Sequence, residues 1–549
     1  MRISKRQTFT IVITTCVILE LLVNIVYQGP LPRTMGDSTD ADNPSRFSAD
    51  AAMAIHELVF PDAPHTIGSV ENSAVRSAIV DRLTADGWIV ERAVPFDVRL
   101  RNRDGLQKDV VVTSPGNIVA YREELMDRSA RPLIMVSHFD SCPFGPGAGD
   151  AGGCVAAIIE AARLLTRDAS RLRRPVWLLL TDGEENGLDG ANHFVKHHSL
   201  MASRPIVLNF DARGTAGPVA MFETHAGNLE MIERLANRFQ QPRVTGSLFT
   251  AIYRMMPNGT DFTIFRDAGC SGLNFALIDG AHRYHRPDDS RANLDRRSVQ
   301  HFGDTALSVA REIASSDHSF DNNREDGLFF DLLGQSVFVI PLWWNQPLRL
   351  FVLFLAEQIY GRPLMKDKPR KIRTILTVWG TMAAVLPMMA VLGFTLSRSI
   401  LGTSILPVPF VSWGHWISLF LWIVSLSACA LWMHFMLCRH DARIVWNAFW
   451  LAHAATNMVV SILLPEFSYL LFIPALAAML ITLFVEDVLA RTTMVTCFAA
   501  VLLVPLHHLI AIALGPAGGL MLLPAFSLLS MPLLPAFSRE TREAPVPII

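Results

Sequence analysis

The chain has 549 residues, 51% of them hydrophobic, and a mean hydropathy of +0.31, which is too apolar for a soluble protein of ordinary composition. A net charge of -2 with a pI near 6.8 gives no support for nucleic acid as a partner. Seven scattered cysteines imply no disulfide framework, and charged residues concentrate before about residue 330, so the sequence divides into a water-exposed half and a membrane half.

Arg2, Lys5 and Arg6 precede an apolar stretch from Phe9 to Tyr27, close to the ~20 residues that span hydrocarbon. No small-residue cleavage site follows it, so residues 1–28 read as a signal-anchor helix with a cytoplasmic amino terminus. Glu20 and Asn24 are costly in lipid and call for a neighbouring helix. Residues 29–45, rich in Pro, Gly, Asp and Ser, form a linker. From 46 to 325, apolar strands (88–94, 117–120, 133–137, 176–181, 206–210, 273–278) alternate with helical patterns (74–86, 154–165, 229–239, 298–314). That alternation predicts a three-layer α/β/α sandwich around a mixed sheet. Residues 326–340 read as a connector.

Seven further spans are expected at 341–360, 374–396, 412–437, 445–464, 468–486, 492–514 and 517–537, with a tail at 538–549. Lys366, Lys368, Arg370, Lys371 and Arg373, then Arg439 and Arg443, Arg491, and Arg539 with Arg542 occupy loops on one side if every span crosses. This is the side of Arg2, which makes eight spans, cytoplasmic termini and a soluble domain on the opposite face. His434, His453, His507 and His508 lie near hydrocarbon depth, where hydrogen bonding between helices is the expected role.

The chemistry concentrates in the soluble half. Two adjacent acids, Glu184 and Glu185, end an apolar strand in Val176-Trp-Leu-Leu-Leu-Thr-Asp-Gly-Glu-Glu-Asn-Gly. Such a pair repels itself and adds nothing to the fold, whereas one acid can ligate a metal while the other takes a proton from water. Upstream stands Ser137-His138-Phe-Asp140-Ser, then Asp150 in a Gly-rich turn, and downstream Asp211 in Val207-Leu-Asn-Phe-Asp-Ala-Arg-Gly and His285 in Arg283-Tyr-His-Arg-Pro-Asp-Asp. Singly each has a duller explanation: His138 as a strand-end residue, Asp150 as a helix cap, Asp211 as a strand terminus, His285 as part of a polar loop with His282. Together they fall at carboxyl ends of strands, where open α/β sheets gather their sites, and two His with three carboxylates suit a pair of zinc ions.

In this order the motifs resemble the M28 family of co-catalytic zinc aminopeptidases across roughly residues 46–325. Gly259-Thr-Asp-Phe-Thr-Ile-Phe-Arg-Asp-Ala-Gly and Leu328-Phe-Phe-Asp-Leu-Leu-Gly are similar to its membrane-bound branch, that of the endoplasmic reticulum metallopeptidase and the vacuolar membrane protease. The resemblance implies that His138, Asp150 and Asp211 hold one zinc and Asp150, Glu185 and His285 the other. It makes Glu184 the general base and has Asp140 orient the His138 ring. Ala151 and Gly153 depart from the family's usual residues, neither being a ligand in that scheme, and Asp211 stands where some members carry Glu. Asp261 and Asp288 fit loop-holding roles, Glu223 reads as a solvated strand-end acid with binding of a substrate's free amine as the alternative, and Asn258-Gly-Thr is a glycosylation sequon by spelling. Cys142 and Cys154, bracketing Asp150, read as two buried free thiols, with a disulfide in an oxidising compartment as the alternative.

The implied protein is a multi-pass membrane metallopeptidase, an aminopeptidase on peptides, with its soluble domain in a periplasm or an endomembrane lumen and its partners a peptide substrate and the lipid bilayer. Two other readings stay open. One is single-zinc acyl transfer of the glutaminyl cyclase kind on the same scaffold; the other is a peptide-binding receptor or transporter with a non-catalytic domain.

Overall fold

The computed structural model describes residues 3–26, 30–34, 46–100, 110–126, 129–167, 169–236, 238, 246–254, 256, 258–320, 325–365, 368–401, 437–521 and 531–539. Two compact units emerge, residues 26–341 and residues 1–25 with 342–549. The described strands are β1 (Ile89–Val90), β2 (Phe96–Arg99), β3 (Val111–Ser114), β4 (Ile118–Tyr121), β5 (Leu133–His138), β6 (Val176–Thr181), β7 (Ile206–Ala212), β8 (Ala216–Thr224), β9 (Ser271–Asp279), β10 (Gly327–Leu332) and β11 (Ser336–Pro341). Helices of interest are α1 (Lys5–Val26), α2 (Ala49–Val59), α3 (Val70–Ala85), α4 (Cys154–Thr166), α5 (Glu184–Gly187), α6 (Asp189–His197), α7 (Leu229–Ala236), α8 (Ser247–Arg254), α9 (Asp261–Asp267) and α10 (Arg296–Ala314).

Every residue of β5, β6 and β7 is buried, as strands covered on both faces require. They belong to a seven-stranded sheet of order β1-β4-β6-β5-β7-β9-β8. β6, β5, β7 and β9 run parallel, while β1, β4 and β8 pair antiparallel, so the sheet is mixed. The two-residue period of a strand sorts its side chains into layers. Leu133 and Met135 join the core formed with α2, α4 and α10; Ile134 and Val136 join Ala191 and Phe194 of α6 and Phe262 and Phe265 of α9. This is the expected three-layer sandwich. Ser48, Ser69 and Asp295 cap α2, α3 and α10 by accepting from backbone N–H groups, worth about 1 kcal/mol each.

Where the structure departs from expectation, local chemistry explains it. Residues 326–340 are not a connector. β10 and β11 pair along Gly327↔Pro341 to Leu332↔Ser336, and Phe329 is buried in the main core. β8 goes unread in the sequence because Gly217 and Pro218 interrupt its pattern, as residues that weaken strands do. α2 is an Ala-rich helix whose short apolar face gives little periodic signal. The strand expected at 88–94 shrinks to β1.

In the other unit, α1 lies alongside helix Val488–Met521 with contacts that climb in step: Thr493 to Thr8 at 3.1 Å, Cys497 Sγ to Thr15 at 3.5 Å, His508 Nδ1 to Glu20 at 3.0 Å. The rising order means that the two helices run parallel, and it gives Glu20 the helical neighbour that its cost in lipid demands. Asn24 instead donates to the Glu20 carbonyl. Trp446, Trp450 and Tyr360 are the largest buried side chains of this unit's core.

Three described helices are long and apolar enough to cross a membrane, with windows at Lys5–Val26, Lys371–Met389 and Val488–Ile510; Tyr469–Phe484 is a shorter apolar helix. Helix Ala442–Leu463 covers the stretch 445–464 but is not one of those three. The stretch 341–360 is helical from Leu342 onward, as a tight 3-10 turn, helix Asn345–Ala356 and a wider π turn to Gly361 that follow one another without a gap. The break expected near 515 is absent, since helix Val488–Met521 runs through it; hydropathy marks apolar length and not where the backbone turns. The span at 412–437 and part of that at 517–537 lie outside the described residues.

Candidate metal centre

β5 is flanked by β6 on one side and β7 on the other, so the chain reverses direction across the sheet there. A crevice opens at the carboxyl ends of strands at such a point. His138 is the last residue of β5, Asp211 the penultimate residue of β7, Glu184 and Glu185 begin α5 just past β6, and His285 follows β9. Gly183 makes the turn into α5 at φ 81, a left-handed conformation that costs a side chain dearly, and a Cβ there would stand 2.5 Å from Ile67. His285 itself adopts φ 58, a region in which His is among the better tolerated residues.

The Gly-rich loop brings in Asp150. Asp289, buried, accepts from Gly149 N at 2.7 Å and Asp150 N at 3.3 Å, which fixes the loop. Asp150 Oδ1 then lies 3.1 Å from His138 Nε2 and Asp150 Oδ2 3.3 Å from His285 Nε2. Asp211 Oδ1 stands 3.5 Å from His138 Nε2, and Glu185 Oε1 2.9 Å from His285 Nε2. All five residues singled out from the sequence therefore converge, with one carboxylate between two imidazoles. His282, the alternative to His285, is not in either cluster.

Asp150 Oδ2, Glu185 Oε1 and His285 Nε2 are buried without a hydrogen-bond partner despite their closeness. Buried polar atoms call for a partner, and an ion between these three would supply one. His138, Asp150 and Asp211 each offer an atom within 4.8 Å of the others, and so do Cys142, Glu185 and His285. The donor set, imidazole with carboxylate and one thiol, fits zinc.

The protonation of the cluster follows from the same geometry. Burial works against a charged His138, yet Asp140, Asp150 and Asp211 hold it well above the usual imidazole range. His285, likewise disfavoured by burial, is raised to about 10 by Asp150 and Glu185. Burial pushes Asp150 upward, and the two imidazoles overcome it and hold the carboxyl below its ordinary range. Burial and then Asp150 bring Glu185 to about 7. Glu184 is raised well above the usual carboxyl value, chiefly by burial, with Asp211, Glu185 and Asp261 adding repulsion against the pull of His138.

Asp140 differs from expectation. The nearer acceptor for His138 Nδ1 is the Asp140 backbone carbonyl at 3.0 Å, with the carboxylate at 3.5 Å. The carboxylate faces the first turn of α5, accepting from Glu184 N at 3.1 Å and Glu185 N at 3.3 Å. It thereby fixes both acids as well as the ring. Glu223 is no solvated acid: it is fully buried, ion-paired with Arg266 and bonded by Asn274 at 3.0 Å, because β8 turns it inward. Asp261, also buried, is bonded to Thr181. Asp289 is the residue that sequence reasoning missed, its neighbour Asp288 having drawn the attention; nothing in a polar Asp-Asp pair tells which one the fold buries. Cys142 and Cys154 are free and buried, and Cys154 Sγ points to the Asp211 carbonyl at 3.3 Å.

Residues 117–310 match peptidase family M28. Over 259 residues, 46% of this chain, the sequence is 26% identical to endoplasmic reticulum metallopeptidase 1 of Mus musculus. Over 222 residues it is 28% identical to the vacuolar membrane protease of Leptosphaeria maculans. These matches span only 29% and 27% of the two relatives' lengths. Among solved structures, an aminopeptidase from Aneurinibacillus sp. strain AM-1 has a TM-score of 0.39 at 13% identity, covering 51% of this chain and 97% of its own. Glutaminyl cyclase from Porphyromonas gingivalis also scores 0.39, at 18% identity, covering 49% and 99%. Both scores are too low to bear on function.

Proposed function

We propose, for a chain that carries a peptidase family M28 domain of the membrane-associated metallopeptidase kind, that the centre at the sheet edge is a zinc-dependent peptidase site acting on the amino termini of peptides. The observation that carries this reading is Asp150 placed between two imidazoles, one oxygen toward each. His138, Asp150 and Asp211 would hold one ion, and Asp150, Glu185 and His285 a second. Bound there, a zinc pair supplies Lewis acidity toward a carbonyl and acidifies a water.

The remaining work belongs to the chain's own groups. Glu184, beside the cluster and held by its backbone N–H on Asp140, is the general base: its carboxylate takes a proton from water and returns it to the leaving amine. The raised affinity of Glu184 for protons suits that exchange near neutrality. Asp140 is a positioning residue, holding the His138 ring and the start of α5 in register. Asp289 does the same for the loop that presents Asp150.

The reading extends to placement. Residues 1–25 and 342–549 are taken to lie in a bilayer as eight spans, with the termini cytoplasmic and the M28 domain on the far side, bacterial periplasm or endomembrane lumen. Supporting this, Ile3 N bonds Asp487, Lys5 Nζ bonds the Ser538 carbonyl and Thr374 bonds His440. Segments next to the basic loops thus share one end of that unit.

The test is incubation of the detergent-solubilised full chain with a peptide library, with and without chelator, followed by mass spectrometry. Stepwise, chelator-sensitive loss of single amino-terminal residues is expected. Internal cuts would overturn the exopeptidase assignment, and one zinc per chain with amino-terminal cyclisation would replace it by single-zinc acyl transfer.

A further inference from the structure

Cys142 has no place in the ligand scheme, yet its sulfur falls within 4.8 Å of ligand atoms of Glu185 and His285. It sits four residues past β5 in Asp140-Ser-Cys-Pro-Phe-Gly and is 3% exposed. A thiol can be buried there simply as a small hydrophobe. Two features argue otherwise. The sulfur lies together with the Glu185 carboxylate and the His285 ring, whose Oε1 and Nε2 atoms, like Oδ2 of Asp150, are buried without a hydrogen-bond partner. The second buried thiol nearby, Cys154, points its sulfur at backbone carbonyls and so offers an internal contrast.

We propose that Cys142 is a fourth protein ligand of the ion held by Asp150, Glu185 and His285. This rests on the two-ion reading above. It makes the two positions unequal. The one with Cys142 is closed by four protein ligands, as structural zinc sites are, while the one at His138 and Asp211 keeps an open coordination position. It also makes the closed position softer, favouring zinc, cobalt or cadmium over magnesium or manganese. On binding, the Cys142 S–H bond breaks, its proton leaves to solvent, and the sulfur lone pair forms the bond to the ion.

The test is spectroscopic. The purified full chain, stripped of metal and titrated with cobalt(II), should develop a thiolate-to-cobalt charge-transfer absorption in the near ultraviolet. Cys142→Ser should abolish that band and weaken binding of one equivalent on the order of tenfold or more, while Cys154→Ser should leave the band intact. Zinc-edge X-ray absorption of the unmutated protein needs no variant to fold and should require a sulfur at ~2.3 Å. Two bound ions with only nitrogen and oxygen around them, or a band that survives Cys142→Ser, would overturn the Cys142 assignment and leave the two-ion reading standing. A chain that takes up no ion would overturn both.

Discussion

Replacing Glu184 by Gln separates proton transfer from everything else at the site. The amide has the same shape, and the backbone N–H of residue 184 still donates to Asp140 Oδ1 at 3.1 Å, so α5 stays in place. Glu184 belongs to neither group of metal-ligating atoms, so the ion content should be unchanged. What disappears is a carboxylate able to accept a proton. A positioned general base contributes about 10²–10⁴-fold, roughly 2.7–5.4 kcal/mol at 1.36 kcal/mol per tenfold, and the loss should fall on kcat. The assay is peptide turnover by mass spectrometry together with metal content by atomic emission. The pH profile adds a signature. Because Glu184 holds its proton more tightly than an ordinary carboxyl, activity should fall as pH drops through a value above the usual carboxylate range, and that acid limb should vanish in Glu184→Gln. Turnover within threefold of the unmutated protein would refute the base assignment and favour a peptide-binding domain without chemistry. Loss of metal in the variant would mean that Glu184 is a ligand instead.

Asp140→Asn leaves one amide oxygen where two carboxylate oxygens accept from Glu184 N and Glu185 N, and metal affinity should drop about 10–100-fold; unchanged affinity in chelator competition would remove its positioning role. Metal uptake at neutral pH should release protons, because His138 and His285 are held protonated by their carboxylate neighbours against the effect of burial. Affinity should therefore rise with pH, and calorimetric heats that do not vary with the buffer's ionisation enthalpy would contradict this. Phe262→Ala empties a fully buried position against Gly272 and should cost about 3–5 kcal/mol; a melting transition in detergent shifted by less than about a degree would show the packing to be loose.

The residues that sequence exposed most clearly were those whose chemistry is out of place in a fold. Adjacent acids at Glu184 and Glu185, or a His at the end of an apolar strand, demand a reason, and the structure brings them together at one sheet edge. The central strands were legible for a similar reason, since β6 begins and ends where its apolar run does. What stayed hidden depends on tertiary contact. Glu223 looks like any polar strand residue until Arg266 and Asn274 close over it. Asp289 gains its role only when the Gly147–Asp150 loop folds back across 139 residues to reach it. β8 is held by its register with β9, from Ala216↔Asp279 to Thr224↔Leu273, a partnership that supplies what a Gly-Pro pair takes away.

The division into units has a topological result. Because α1 packs with helix Val488–Met521 while residues 26–341 form a body of their own, the domain that carries the candidate metal centre is an insertion inside another domain, leashed at both ends. One proteolytic nick beside it would not shed it, and deleting α1 would strip a wall from the bundle as well as cutting a tether.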